Sequence, residues 1–278
     1  MMSRPSGELR GQSEDPLTTR SRAIWSSADF HPIARSFAAG AEEFINRLAI
    51  GLGERVLDVA CGTGNLAIPA AKTGAVVTGV DIAPNLIERA RIEARAAGTA
   101  IEFDVGDAEA LPYHRERFDT TVTMFGAMFA NRPDVAVAEL VRVTRKGGRV
   151  VMANWTPESF VGRMLKAHVA VVKPPAGLLS PLLWGDEEAV RLRFGDRVRA
   201  LVCTRRAIEL RFPFSPAAVT ETFATCYGPT VATLALADAA GALKLRESLT
   251  RLFSEHNIMT DGTTAVVGEY LEVLARVG

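Results

Sequence analysis

The length, composition and charge of this chain exclude several classes of protein. Its 278 residues are 48% hydrophobic, enough for one α/β domain with additions or for two small domains. The 32 basic and 32 acidic side chains give a formal net charge of zero, whereas proteins that bind nucleic acid usually carry a basic excess, because phosphate contacts supply most of their affinity. We therefore expect a small-molecule partner and no DNA or RNA.

Cysteine spacing and hydropathy predict a cytoplasmic protein. Cys61, Cys203 and Cys226 are far apart, and no Cys/His cluster has the spacing of metal ligands. No apolar run approaches the ~18 residues that a membrane span needs, and the N-terminus lacks the apolar core of a signal peptide. We expect reduced thiols, no metal site and no membrane span, and we leave the oligomeric state open.

The first 52 residues divide into two predicted segments. Residues 1–22 are polar and contain Gly, Pro, Ser and mixed charge, which is typical of a disordered tail. Apolar residues then recur at helical spacing, and residues 41–52 have the pattern of an amphipathic helix. We therefore predict a disordered tail over 1–22 and a helical segment over 23–52.

Residues 53–155 alternate between apolar strand patterns and helical patterns. Such alternation predicts a parallel sheet covered by helices on both faces, joined by right-handed crossovers. The predicted strands of this Rossmann-like, doubly wound α/β core are 56–60, 75–81, 101–107, 118–125 and 149–155.

The alternation stops after Trp155. Helical patterns follow at 158–172, 186–194, 216–226 and 230–255, and strand patterns at 197–212 and 264–277. We predict that the two strands pair antiparallel at the edge of a mostly parallel, seven-stranded sheet. Residues 156–263 would then supply cap helices and an edge strand around an acceptor site. Residues 264–278 would form the final strand of the core.

A glycine-rich turn is the first candidate for chemistry. Residues 62–67, GTGNLA, fit the G-x-G-x-x-G/A fingerprint between a strand and a helix, where glycines permit a tight turn and backbone N–H groups face a ligand. Asp81, 17 residues after Gly64, can take both ribose hydroxyls of a nucleotide. These features fit NAD enzymes and S-adenosylmethionine (SAM) enzymes equally well.

Three further features favour SAM. Asp58 lies inside the first strand, where a carboxylate needs a partner, and it can face a cationic amino-acid moiety that NAD lacks. Asp107 can accept from an adenine amino group, while Ala108 offers a backbone N–H to the ring edge. Phe125, at the end of the fourth strand, lies where a reacting group would be.

The run from 56 to 155 resembles the class I SAM-dependent methyltransferases, and in particular the ubiquinone and menaquinone C-methyltransferases. It covers about a third of the chain. Ala60 departs from the pattern, because many members have glycine there. The motifs that carry the resemblance are LDVACGTGNLA, GVDIAPNLIERAR, GDAEALPY, FDTTVTMFGAMF and ELVRVTRKGGRVVMANW.

The resemblance implies SAM as cofactor, S-adenosylhomocysteine (SAH) as product and a set of cofactor contacts. Ordinary core packing explains Ile82, Leu86 and Phe125 nearly as well as cofactor binding does. The implied contacts are Asp58, Ala60, Gly62 and Gly64 around the methionine moiety, Asp81 at the ribose, Ile82, Leu86, Asp107 and Ala108 at the adenine, and Phe125 near the sulfonium.

The resemblance also implies an N-terminal lid over the cofactor, here 23–52, with His31 as the candidate general base. Methyl transfer needs mainly positioning, and a base only when the acceptor must lose a proton. We therefore name no other catalytic residue. The acceptor, a small or medium-sized organic molecule, should lie between 23–37, 125–131 and the helices after Trp155, with Trp184, Phe223 and Tyr227 as lining candidates.

Two alternative functions share the cofactor pattern. One is a SAM-binding enzyme of the same fold that does not transfer a methyl group, since fold does not determine function. The other is an NAD-dependent oxidoreductase, which is disfavoured by Asp107 and Ala108 and by the lack of a Tyr-x-x-x-Lys motif.

Overall fold

The structure is a computed structural model that describes residues 15–278. Seven strands, eleven α-helices and three short 3-10 helices are found in this part of the chain. The strands are β1 (Arg55–Val59), β2 (Val76–Asp81), β3 (Glu102–Val105), β4 (Phe118–Met124), β5 (Thr144–Trp155), β6 (Val198–Phe212) and β7 (Thr264–Val277). The helices are α1 (Pro16–Ser26), α2 (His31–Ser36), α3 (Ala38–Arg47), α4 (Ala67–Lys72), α5 (Pro84–Ala96), α6 (Pro133–Val143), α7 (Phe160–Val171), α8 (Glu187–Phe194), α9 (Pro216–Cys226), α10 (Gly228–Leu236) and α11 (Ala239–His256).

The strands form one seven-stranded sheet in the order β3-β2-β1-β4-β5-β7-β6. Strands β1 to β5 pair in parallel, and β7 runs antiparallel to both β5 and β6. The predicted fold class is therefore confirmed, and the reversed strand lies one place in from the edge. The strand order reverses between β1 and β4, and the carboxyl ends of strands at such a switch point form the usual ligand site of an open α/β sheet.

The apolar runs of the central strands become the core of the domain. Val56, Leu57 and Val59 of β1 are fully buried, as are Val150 and Val151 of β5. A strand that is buried on both faces needs a continuous apolar run, which is the pattern that the sequence shows.

The N-terminal segment differs from its prediction. The expected tail of 1–22 was wrong over 15–22, because α1 begins at Pro16 and the Asp15 side chain caps it by accepting from the Leu17 N–H at 2.9 Å. Residues 1–14 lie outside the described residues. Within the expected lid of 23–52, both α2 and α3 contribute to the core, since Ile33 of α2 is buried and Phe44 and Ile45 of α3 are fully buried.

The cap after β5 contains the predicted helices with one difference. The helix expected over 230–255 is divided into α10 and α11, and the Asp238 side chain caps α11 by accepting from the Gly241 N–H at 2.7 Å. A sequence pattern cannot easily show this break, because apolar residues continue at helical spacing on both sides of it. Within residues 15–278, none of the helices combines the length and apolar character needed to cross a membrane.

Candidate cofactor and acceptor site

A cavity lies at the carboxyl ends of β1 to β4, beneath α1 and α2, and we call it the central cavity. It contains about 980 Å³ of empty space, part of which is open to solvent. All the predicted cofactor contacts line it except Gly64. The fold therefore brings nearly all of the predicted cofactor residues to the lining of one cavity.

The glycine turn at the base of this cavity depends on left-handed backbone. Gly62 has a φ of 53° and Gly64 a φ of 93°, a region that L side chains rarely adopt. Gly64 stabilises the turn on the side away from the cavity. Its N–H donates to the Cys61 carbonyl at 2.9 Å, and a Cβ added at this position would lie 3.2 Å from Ile68. Gly62 has only Phe30 within 4 Å of such a Cβ, so its backbone borders open space.

Ala60 is also left-handed, with a φ of 55°. This conformation costs roughly 1–2 kcal/mol for a residue that has a Cβ. Gly126, at the end of β4, packs directly on it, and a Cβ at Gly126 would lie 2.5 Å from the Cβ of Ala60. The departure at Ala60 is therefore accommodated by a glycine on the neighbouring strand.

Asp58 joins β1 to the helix that follows the glycine turn. One carboxylate oxygen accepts from the Ala67 N–H at 3.0 Å, at the start of α4. The other has no hydrogen-bond partner among the described residues, and Asp58 is one of the residues that line the central cavity. Burial raises the pKa of Asp58 well above its ordinary value, and a positively charged group in the cavity would lower that pKa and favour the ionised carboxylate.

Asp81 ties the glycine turn to α5. Its two oxygens accept from the Gly62 N–H at 2.8 Å and from the Ala83 N–H at 2.9 Å. Burial raises the pKa of this carboxyl, while the backbone hydrogen bonds act in the opposite direction. Each oxygen keeps a lone pair for a further donor in the cavity.

Asp107 anchors α1, a contact that the sequence analysis missed. One oxygen accepts from the Glu109 N–H at 2.9 Å, and the other from the Thr18 hydroxyl at 2.7 Å. Asn131 also holds α1, since its amide donates to the Ser21 hydroxyl at 2.9 Å. Helix α1 is thus fastened across the rim of the central cavity by polar side chains.

Aromatic side chains form the wall of the cavity above β4. Phe125 has a φ of 59° and stacks on Trp155, with ring centroids 3.6 Å apart. Phe37 meets its edge at 5.7 Å, and Trp25 of α1 packs on Phe129 at 5.2 Å. Left-handed backbone at a bulky residue is uncommon and concentrates at functional sites, which marks Phe125 as part of this one.

Comparisons with known proteins agree with this geometry. The family model described as a methyltransferase domain matches residues 56–148. The chain is 36% identical over 270 residues to the uncharacterized protein Rv1405c of Mycobacterium tuberculosis (strain ATCC 25618 / H37Rv), covering 95% of this chain and 97% of that protein. Over 108 residues it is 37% identical to the demethylmenaquinone methyltransferase of Renibacterium salmoninarum, covering 39% of this chain and 44% of that protein.

This chain belongs to the class I SAM-dependent methyltransferases. The YcgJ protein of Bacillus subtilis shares its fold, with a TM-score of 0.58 and 17% identity over 86% of this chain and 99% of that one. The predicted family, fold, cofactor and reaction are confirmed: the methyltransferase takes its methyl group from SAM and leaves SAH. Methyl transfer is thereby favoured over the two alternatives.

None of the four histidines of the methyltransferase, all of which lie within the described residues 15–278, lines the central cavity. His31 does not line the central cavity, and its Nε2 lies 3.6 Å from Glu93 of α5. Burial lowers the pKa of His31. His168 uses both ring nitrogens, with Nδ1 2.7 Å from the Met164 carbonyl and Nε2 2.8 Å from the Thr230 hydroxyl, so it is a structurally satisfied histidine.

A second cavity lies beside the first, between α1, α7, the loop 172–181 and α10, and we call it the outer cleft. The two cavities share Ser21, Trp25, Phe129, Ala130 and Asn131 as a common wall. Of the walls predicted for the acceptor site, α1, residues 128–131 and helices of the cap border this cleft.

The three aromatic residues expected to line the acceptor site lie in the core instead. Trp184, Phe223 and Tyr227 are buried and line neither cavity. Phe223 packs on Tyr227 with centroids 5.4 Å apart. Aromatic residues at helical spacing serve core packing more often than ligand binding, as here. In the part of the chain that is described, no group of three or more His, Cys, Asp or Glu side chains could hold a metal.

Proposed function

We propose that the central cavity binds SAM along the ends of β1, β2 and β3, with one carboxylate for each part of the molecule. Asp58 would face the amino-acid ammonium, Asp81 the ribose hydroxyls and Asp107 the adenine amino group. The observation that supports this assignment is that the three carboxylates lie in or just after three adjacent parallel strands and line a single cavity.

The chemistry of the cavity fits such a ligand from end to end. The unengaged oxygen of Asp58 supports a cation at one end, because a buried carboxylate without a partner is costly. Gly62 leaves room for the ligand to approach the backbone. Ile82 and Leu86 supply apolar surface at the opposite end, where an adenine ring would pack.

Bound SAM supplies a sulfonium methyl group: the acceptor's lone pair forms a bond to the methyl carbon while the carbon–sulfur bond breaks and the sulfur keeps the electron pair. The protein's part is to align the two reactants and to exclude water, which can account for roughly 7–11 kcal/mol of the barrier. Phe37, Phe125 and Trp25 surround the sulfonium end with apolar surface. This enclosure keeps the developing displacement dry.

The acceptor is a small or medium-sized organic molecule that enters from the outer cleft. The common wall of the two cavities supports this route, since it is the place where one ligand can meet the other. Neutral overall charge argues against a nucleic-acid acceptor. We place the reaction in the cytoplasm, in keeping with three free cysteines.

Calorimetric titration of the purified chain with SAM, SAH and NAD tests the cofactor site. We expect micromolar binding of both sulfur nucleotides and none of NAD. Binding of NAD with no binding of SAM would overturn the proposal. Mass spectrometry of candidate acceptors incubated with SAM then separates methyl transfer, which adds one methylene unit to the acceptor, from other chemistry on the same fold.

A further inference from the structure

The outer cleft has an unusual combination of lining groups. Its walls are mostly apolar, and Val169, Leu179 and Leu236 remain about half exposed or more at its mouth, at 51%, 55% and 68%. Apolar side chains that gather at the rim of a cavity are typical of a binding site for an apolar ligand. This surface is therefore suited to the hydrophobic part of a ligand.

Two basic residues, Arg20 of α1 and Lys173 of the 172–181 loop, interrupt this apolar lining. Neither takes part in an ion pair or a side-chain hydrogen bond with any described residue. Many arginines elsewhere are paired, as Arg55 is with Asp119 at 3.0 Å. The cleft thus offers two cations that have no partner within residues 15–278.

No acidic residue lines the outer cleft within the described chain. The remaining titratable side chain, His168, is held by Met164 and Thr230, and burial lowers its pKa, so it adds no charge at neutral pH. The local charge of the cleft is therefore positive although the chain as a whole is neutral. An anionic group is the complementary ligand for such a surface.

The partition between the cleft and the central cavity is thin. Trp25 and Phe129 line both cavities and touch each other edge to face, with centroids 5.2 Å apart. A rotation of these two partly exposed rings would join the cavities without disturbing the sheet. A molecule lying in the cleft could then extend its reacting end to the sulfonium.

We propose that the acceptor is an amphipathic acid, an apolar molecule that carries an anionic group. Its apolar body lies in the outer cleft, its anionic end pairs with Arg20 and Lys173, and its reacting end passes between Trp25 and Phe129. This assignment rests on the proposed function, because it identifies the substrate class of the same acceptor site.

Matched ten-carbon probes test the charge preference. Decanoate, decanol and decyltrimethylammonium are titrated calorimetrically into the full chain, with and without saturating SAH. We expect decanoate to bind about tenfold more tightly than decanol, and the ammonium to bind most weakly. Higher salt should reduce only the advantage of decanoate. Equal affinities for the three probes would overturn the proposal.

Variants locate the effect in the cleft. The double variant R20A/K173A should lose the preference for decanoate and keep its affinity for decanol. Lys146→Ala, at a site outside the cleft, should match the wild type. Lys173→Glu should bind decyltrimethylammonium more tightly than the wild type does, a gain that misfolding cannot produce. A decanoate preference that survives in the double variant would show that the anion binds elsewhere.

The titrations also separate this inference from the proposed function. If SAH binds and decanoate shows no preference, the acceptor class is wrong while the cofactor site stands. If decanoate shows the expected preference and SAH does not bind, the cofactor assignment fails while the anion-binding cleft stands.

Discussion

Replacement of Asp81 by asparagine is the most direct test of the cofactor site. The carboxylate accepts from the Gly62 and Ala83 N–H groups at 2.8 and 2.9 Å, and an amide can accept from only one of them. Its NH₂ group would then face an N–H donor in a buried place. The change removes a negative charge and one acceptor without changing the volume of the side chain.

The structure sets the size of both effects. One buried N–H group without a partner costs about 1–3 kcal/mol of folding free energy. The two ribose hydroxyls would exchange hydrogen bonds to a charged acceptor for weaker bonds to an amide, a loss of about 1 kcal/mol each. We therefore expect about 2 kcal/mol less binding free energy, or roughly a thirtyfold rise in the SAH dissociation constant.

Calorimetry with SAH and urea denaturation of the same samples measure the two quantities separately. Asp104→Asn is the matched control, because Asp104 accepts from the Tyr113 hydroxyl at 2.9 Å and does not line the central cavity. It should keep wild-type SAH affinity. If Asp81→Asn binds SAH within about threefold of the wild type, a change of less than 1 kcal/mol, Asp81 does not hold the ribose.

Three further predictions concern single side chains. Thr18→Val removes the hydrogen bond between α1 and Asp107, so it should weaken the docking of α1 over the central cavity by about 1 kcal/mol and speed SAH release roughly fivefold in stopped-flow measurements. Ser27→Ala, which loses a hydrogen bond at the C-terminus of α1, should not change the release rate. Burial raises the pKa of Asp58 and an ammonium partner would lower it, so SAH binding should release protons and become tighter as the pH rises. Calorimetry in buffers of different ionisation enthalpy measures this release. Identical binding enthalpies in those buffers, or proton release that persists in Asp58→Asn, would contradict the prediction. Arg55 holds the pKa of Asp119 well below its usual range. The pair therefore stabilises the fold above the unfolded carboxyl pKa of about 3.9, and this stabilisation is lost progressively as the pH falls below that value. Asp119→Asn should lower the free energy of unfolding near neutral pH by about 1 kcal/mol and make it depend less on pH in the acid range, as measured by urea denaturation at a series of pH values.

The sequence predicts the core of this methyltransferase well because local pattern and tertiary role agree there. Strands β1 and β5 are buried on both faces, so their residues must be apolar without interruption, and that pattern is visible in the sequence. The three carboxylates proposed to bind the cofactor could be predicted for the same reason. Asp58, Asp81 and Asp107 lie in or just after parallel strands, whose carboxyl ends meet at one edge of the sheet.

The N-terminal helix could not be predicted in the same way. Residues 16–22 are polar, and their helical state is supported by contacts with distant residues rather than by a hydrophobic face. Thr18 meets Asp107 across 89 positions of sequence, and Ser21 meets Asn131 across 110. Nothing in the local sequence indicates either partner, so composition alone gave the wrong state.

His31 shows a second limit of sequence reasoning. A short helix of six residues has no clear apolar stripe, so the sequence does not say which neighbour each side chain faces. The structure turns His31 toward Glu93 and places Ile33 and Phe37 in the core. The presence of a histidine in the N-terminal segment was therefore insufficient to identify a base.

Helix α1 connects the two halves of the site. Thr18 donates to Asp107 in the central cavity, and Arg22 donates to the Ile82 carbonyl at 3.3 Å beside it. On the same helix, Trp25 and Arg20 line the outer cleft. The outer cleft is complete only while α1 lies across the central cavity, because α1 contributes residues to the lining of both. The proposed sites therefore predict an order of binding, with the nucleotide entering first and the acceptor second, because the surface proposed for the acceptor lies on the helix that would cover the nucleotide.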